Sequence, residues 1–185
     1  MIVQPESLSS LASALYSGEH STVEDQVEQA ISDYNWVKAN IRYHLSTWGV
    51  PEQTLVLMSG ACGAKAELLG EILELHGISV RYVEGRPLPI IVPLARIPVL
   101  NVHFWVEAKI GDKWLILDPT PDNDLTHLLG ETSPGTHLIN PKYIGRWNKI
   151  PDHYKKCFNH PLLMPLRYMS NLKLAYYRRQ SQYNH

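Results

Sequence analysis

The chain has 185 residues, is 44% hydrophobic and 19% charged, and carries a formal net charge of −1. That balance suits one soluble globular domain with its own core and excludes disordered, collagen-like and repeat architectures. With only two cysteines, Cys62 and Cys157, a disulfide framework and a four-cysteine zinc site are excluded too.

In chain order, Ser7 to Tyr16 places Leu8, Leu11, Ala12 and Leu15 at helical spacing. Ser21 followed by Glu24 has capping-box spacing. Val27, Ala30, Ile31, Tyr34, Val37 and Ile41 then predict a long helix over about residues 22 to 44. Trp48 to Gly60 reads as a connecting loop. Residues 62 to 76 form a second helical pattern, with Gly77 placed to end it. Ile78 to Glu84 alternates like a strand. A proline-rich apolar loop follows, Gly85 to Pro98, and suits either a packed crossover or a stiff wall over a pocket. Asn101 to Lys109 and Lys113 to Leu117 predict two strands of a hairpin turning at Gly111-Asp112. Beyond Asp118 the chain reads as turn-rich loops with short helices around 152–159 and 164–179. Helices first and an antiparallel sheet after them make an α+β arrangement. The expected organisation is a core over residues 1–122 and a basic, aromatic extension over 123–185 packed on it.

The charges divide along the same line. Residues 1–141 hold 8 Lys+Arg against 17 Asp+Glu, a net of −9, while residues 142–185 hold 9 against one, a net of +8. Such a tail suits packing across the chain's own acidic body, or docking an acidic partner such as a carrier protein. Its basic residues are spread rather than clustered, so nucleic acid is not the expected partner. The N-terminus lacks the basic and apolar regions of a secretory signal. The most apolar stretch, Leu88 to Leu100, is broken by Pro89, Pro93, Arg96 and Pro98, so no membrane partner is expected and the expected location is the cytoplasm.

Cys62 sits among small residues, Ser59-Gly60-Ala61-Cys62-Gly63-Ala64, where a helix begins. A helix N-terminus offers free backbone N–H groups and a partial positive charge. Both favour a thiolate, and the same N–H groups can hold an oxyanion. A lone cysteine is more often a small apolar filler, so Cys62 needs partners to count as a nucleophile. Among nine histidines, His103 stands out within the apolar-aromatic run Val102-His103-Phe104-Trp105-Val106. A two-residue turn at Gly111-Asp112 sets His103 opposite residue 120 and leaves Asp118 on the same face, within diagonal reach.

This constellation resembles the transglutaminase-like superfamily. The run Gly60-Ala61-Cys62-Gly63-Ala64-Lys65-Ala66-Glu67-Leu68-Leu69, continued by Leu73 to Gly85, is similar to its nucleophile segment. Asn101 to Glu107 resembles its histidine strand, and Trp114 to Thr120 its aspartate strand. The likeness covers roughly residues 30–122. It implies a papain-like α+β core, with helices packed on an antiparallel sheet, and a Cys62-His103-Asp118 triad. It implies acyl transfer or hydrolysis at an amide or thioester carbonyl through an acyl-enzyme. Two alternatives stand beside it: an amide synthase fed by a carrier-protein thioester, and a non-catalytic binding module on the same fold. Family enzymes often complete the oxyanion hole with an upstream polar or aromatic side chain, for which Trp48, Gln53 and Ser59 are candidates. Trp105, on the histidine strand, is a further candidate for binding substrate. Neither calcium-type nor zinc-type ligand spacing is present, so no metal and no other cofactor is expected.

Overall fold

The computed structural model describes residues 6–16, 18, 22–45, 48–86, 102–122, 134 and 142–183. Helix α1 spans Leu8–Leu15 and buries Leu8, Leu11 and Ala12. Helix α2 spans Val23–Asn40. Thr22 caps it: its Oγ1 accepts the Asp25 N–H at 3.1 Å, and Asp25 Oδ2 accepts the Thr22 N–H at 2.9 Å. The capping box therefore begins one residue after the expected Ser21. The helix also ends sooner than its periodicity predicts. Ile41 is already extended, with φ −94 and ψ 107, because the chain passes into a two-residue strand, β1 (Arg42–Tyr43).

Strand β1 pairs in parallel with β2 (Ser59–Gly60), with Tyr43 opposite Gly60. Between them, where a loop is expected, lies helix α3 (Pro51–Leu57). Proline suits a first helical position, because its missing N–H would have no partner there. Met58 ends this helix in the left-handed region at φ 47. Helix α4 (Cys62–Leu75) starts where the sequence predicts and buries Leu68, Leu69, Ile72 and Leu73 completely.

The main sheet contains β3 (Val80–Arg86), β4 (His103–Ile110), β5 (Lys113–Leu117) and β6 (Lys142–Trp147), in the order β5-β4-β3-β6 with every neighbouring pair antiparallel. The β4–β5 register runs from Ile110 opposite Lys113 to Val106 opposite Leu117, which is the register a two-residue turn dictates. Gly111 takes φ 56 in that turn, a value glycine adopts without steric cost. Strand β6 was not expected. It pairs with β3 through an irregularity at Glu84/Gly85.

Helix α4 lies across β4 and β3. Its buried leucines join Tyr34 and Val37 of α2, Phe104, Val106 and Ala108 of β4 and Leu117 of β5 in one core. The architecture is the expected α+β one. Two helices close the chain, α5 (Asp152–Phe158) and α6 (Met164–Tyr183), joined through a 3-10 turn at Pro161–Leu163. Among the described residues, three ion pairs join basic side chains after residue 141 to acidic ones before it: Arg146 with Glu107 at 3.4 Å, Lys155 with Glu67 at 2.8 Å and Arg178 with Asp122 at 2.6 Å. The expectation for the apolar loop lies outside the described residues from Pro87 onward.

Candidate active site

Helix α4 begins at Cys62, with Ala61 as N-cap and no side chain capping the first turn. Its first N–H groups have no acceptor within the helix, so they are available at the position a bound carbonyl would approach. The Cys62 Sγ lies 3.9 Å from the carbonyl oxygen of Val102, the residue just before β4. The nucleophile candidate thus touches the start of the histidine strand.

His103 opens β4, opposite Gly85 of β3. Its Nε2 lies 2.7 Å from Asp118 Oδ2. Asp118 follows β5 directly, so one hairpin supplies both residues. The other Asp118 oxygen accepts the Thr120 N–H at 3.1 Å, which fixes the carboxylate plane. Asp118 is fully buried and His103 nearly so. Burial disfavours a charged imidazole. Against it, the Asp118 carboxylate and the hydrogen-bonded Cys62 sulfur hold His103 up, from an ordinary 6.5 to about 10. Burial likewise opposes the Asp118 charge, and the His103 ring and the Thr120 bonds outweigh it, leaving this carboxyl below its ordinary value. Since Nε2 is committed to Asp118, Nδ1 is the ring nitrogen left for Cys62. The structure therefore hydrogen-bonds His103 to Asp118 and sets the Cys62 sulfur close enough to favour the charged form of His103.

The other candidates fall differently. Trp48 does not offer its indole N–H to an oxyanion, because that N–H donates to Glu67 Oε2 at 2.8 Å. Its ring instead covers Gly63, where an added Cβ would meet it at 2.1 Å. Gln53 is exposed on α3, and its carboxamide lies against Gly49. Ser59 is half-buried on β2, paired with Arg42. Trp105 is buried, with its ring centroid 5.7 Å from that of His103.

Three neighbours escaped the sequence reading. Tyr43 pairs opposite Gly60, two residues before Cys62. Its hydroxyl is pushed well above its ordinary value by burial, then by the negative charge of Cys62 and Asp118. Lys65, one turn after Cys62, is fully buried and donates to the carbonyls of Ile41 at 2.5 Å and Thr120 at 3.4 Å. Burial pulls its ammonium down to about 7, against the pull of Asp122 and Asp118. Arg178 reaches in from α6, donating to Asp122 Oδ2 at 2.6 Å and to the Tyr43 carbonyl at 2.9 Å. A charged lysine inside an apolar helical pattern is the one sequence signal among these. Tyr43 was concealed by the assumption that α2 ran on to residue 44.

Comparison with known proteins bears on the family and the fold. The model of the family described as the transglutaminase-like superfamily matches residues 10–119. No curated protein matches the chain in sequence. Among solved structures, one from Cytophaga hutchinsonii, described as a "Putative Cysteine Protease", is similar with a TM-score of 0.54 and 18% identity. The match covers 77% of this chain and 42% of that one, so the chain spans less than half the length of this relative. Two structures of LapG from Legionella pneumophila, one EGTA-treated, are similar at 16% identity with TM-scores of 0.44; they cover 77% and 80% of this chain, and 74% and 84% of theirs.

Proposed function

The chain belongs to the transglutaminase-like superfamily, and from that premise we propose that it is a thiol enzyme acting on amide or thioester carbonyls. The observation that carries this reading is the line from Cys62 through His103 to the buried Asp118. The Cys62 sulfur, having passed its proton to His103, attacks the carbonyl carbon, and the oxygen takes up negative charge beside the first-turn N–H groups of α4. His103, charged and held by Asp118, gives its proton to the departing amine or thiol as the carbonyl–heteroatom bond breaks. An acyl-thioenzyme remains. Water or an amine then attacks it, His103 takes the incoming proton, and the Cys62–acyl bond breaks. Asp118 keeps the imidazole oriented and balances its charge throughout.

Small acyl thioesters and peptide p-nitroanilides serve as probes, with hydroxylamine added to intercept the acyl-enzyme as a hydroxamate. Turnover should fall roughly ten-thousandfold in Cys62→Ala and in His103→Ala. The ratio of hydroxamate to free acid measures the partition between transfer and hydrolysis. Full turnover by Cys62→Ala would sink the proposal.

A further inference from the structure

Helix α6 (Met164–Tyr183) turns several polar residues inward. Ser170 and Arg178 are buried beside Leu174. Asn171 holds the Leu45 backbone through both its carboxamide atoms, accepting the N–H at 2.8 Å and donating to the carbonyl at 3.3 Å. A surface helix ordinarily turns its apolar stripe inward and its charged stripe to water. Here the outward side is apolar. Tyr168, Leu172 and Tyr176 follow one another at four-residue spacing, Met169 lies three residues before Leu172, and the exposures of Tyr168, Met169, Leu172 and Tyr176 are 66%, 59%, 54% and 58%. Leu162 and Met164, just ahead, are 79% and 63% exposed. The face extends over about 20 Å.

The charge on this helix narrows what covers that face. Of the cations on helix α6, Arg178 is buried against Asp122, Arg167 stacks on Phe158, Lys173 is half-buried and Arg179 is exposed; the helix carries no carboxylate, and Asp152 is the only acid after residue 141. Two such faces brought together would set like charges against each other. An occupant must combine apolar depth with negative charge. We infer that the outer face of α6 docks on the surface of a bilayer containing anionic lipid. Leu162, Leu172, Met164 and Met169 enter the acyl boundary, the tyrosines sit at headgroup level, and the exposed Arg179 reaches the phosphates. The acidic body, at −9 over residues 1–141, is repelled by the same surface and turns away from it. This is a peripheral contact: among the described residues no helix is long and apolar enough to cross a membrane. The sequence expectation of no membrane partner considered only spanning segments.

The test uses the full chain with vesicles of phosphatidylcholine alone and of an equimolar phosphatidylglycerol mixture, read by co-sedimentation. Wild type should pellet with the anionic vesicles about tenfold more than with neutral ones, and release as salt rises toward about 1 M. The double variant Met169→Glu/Leu172→Glu should stay in the supernatant with its circular dichroism and Tm unchanged. Failure of wild type to bind anionic vesicles overturns the inference, as does equal pelleting by the variant. So does a dimer on size exclusion that Leu172→Glu dissociates, which would assign the face to a second copy.

Discussion

His103 is hydrogen-bonded to the Asp118 carboxylate and has almost no access to water, so its charge and the local stability are linked. Its ionisation lies near 10 in the folded chain against an ordinary 6.5. A raised value means that its contribution is complete below pH 6.5, declines as pH rises above that, and is gone above pH 10. Asp118 is shifted the other way from its ordinary 3.8, so its share is complete above that pH and is lost in stronger acid. The Tm gap between wild type and His103→Gln should therefore be widest between pH 3.8 and 6.5 and close toward pH 10. A gap that widens with rising pH contradicts this assignment of charge. Gly63 is the second sensitive position. Its hydrogen is all that fits beneath the Trp48 ring, so Gly63→Ala should cost about 1–3 kcal/mol by overpacking, read by urea denaturation.

Among the elements, those that place the candidate site were the most legible. Helix α4 begins at Cys62 because glycines and alanines precede an uninterrupted apolar period, and the β4–β5 register follows from two turn residues. That register alone was enough to bring Asp118 to His103. The less legible elements share a physical cause: they are short and depend on pairing with distant segments. Strand β1 has two residues and exists through β2; β6 exists through β3, with which it pairs across a register shift at Glu84/Gly85. The segment between β1 and α3 is likewise held from afar. Asn159 accepts the Trp48 N–H at 2.8 Å and donates to the Trp48 carbonyl at 2.7 Å, and Asn171 does the same at Leu45. Neither clamp leaves a periodic signal. Replacing either asparagine by alanine should cost about 2 kcal/mol, or roughly 4–8 °C in Tm for a chain of this size. An unchanged Tm in both variants would show that the clamps carry no stability.

For the molecule as a whole, the opposed charges of its two parts act as fastening. The clearest case is Arg178–Asp122, where both side chains are about nineteen-twentieths buried and the arginine also holds the Tyr43 carbonyl. Removing one member leaves the other charged and buried, so Arg178→Ala should lose about 3–5 kcal/mol. Adding Asp122→Asn should restore part of that loss, because the stranded carboxylate is gone. Strict additivity in the double variant would mean the two residues act independently. Since Tyr43 lies against β2 just ahead of Cys62, the same fastening links α6 to the candidate site. A chain cut before α6 is expected to lose this support along with the outward apolar face.

The most direct test of the central claim is the rate of iodoacetamide labelling at Cys62 at pH 6, read by peptide mass spectrometry with Cys157 as internal reference. With a charged imidazole beside the sulfur, Cys62 should react much faster than Cys157, and His103→Ala should slow it about tenfold or more without affecting Cys157. Equal rates at the two cysteines, unchanged by His103→Ala, would contradict an assembled Cys62-His103-Asp118 site.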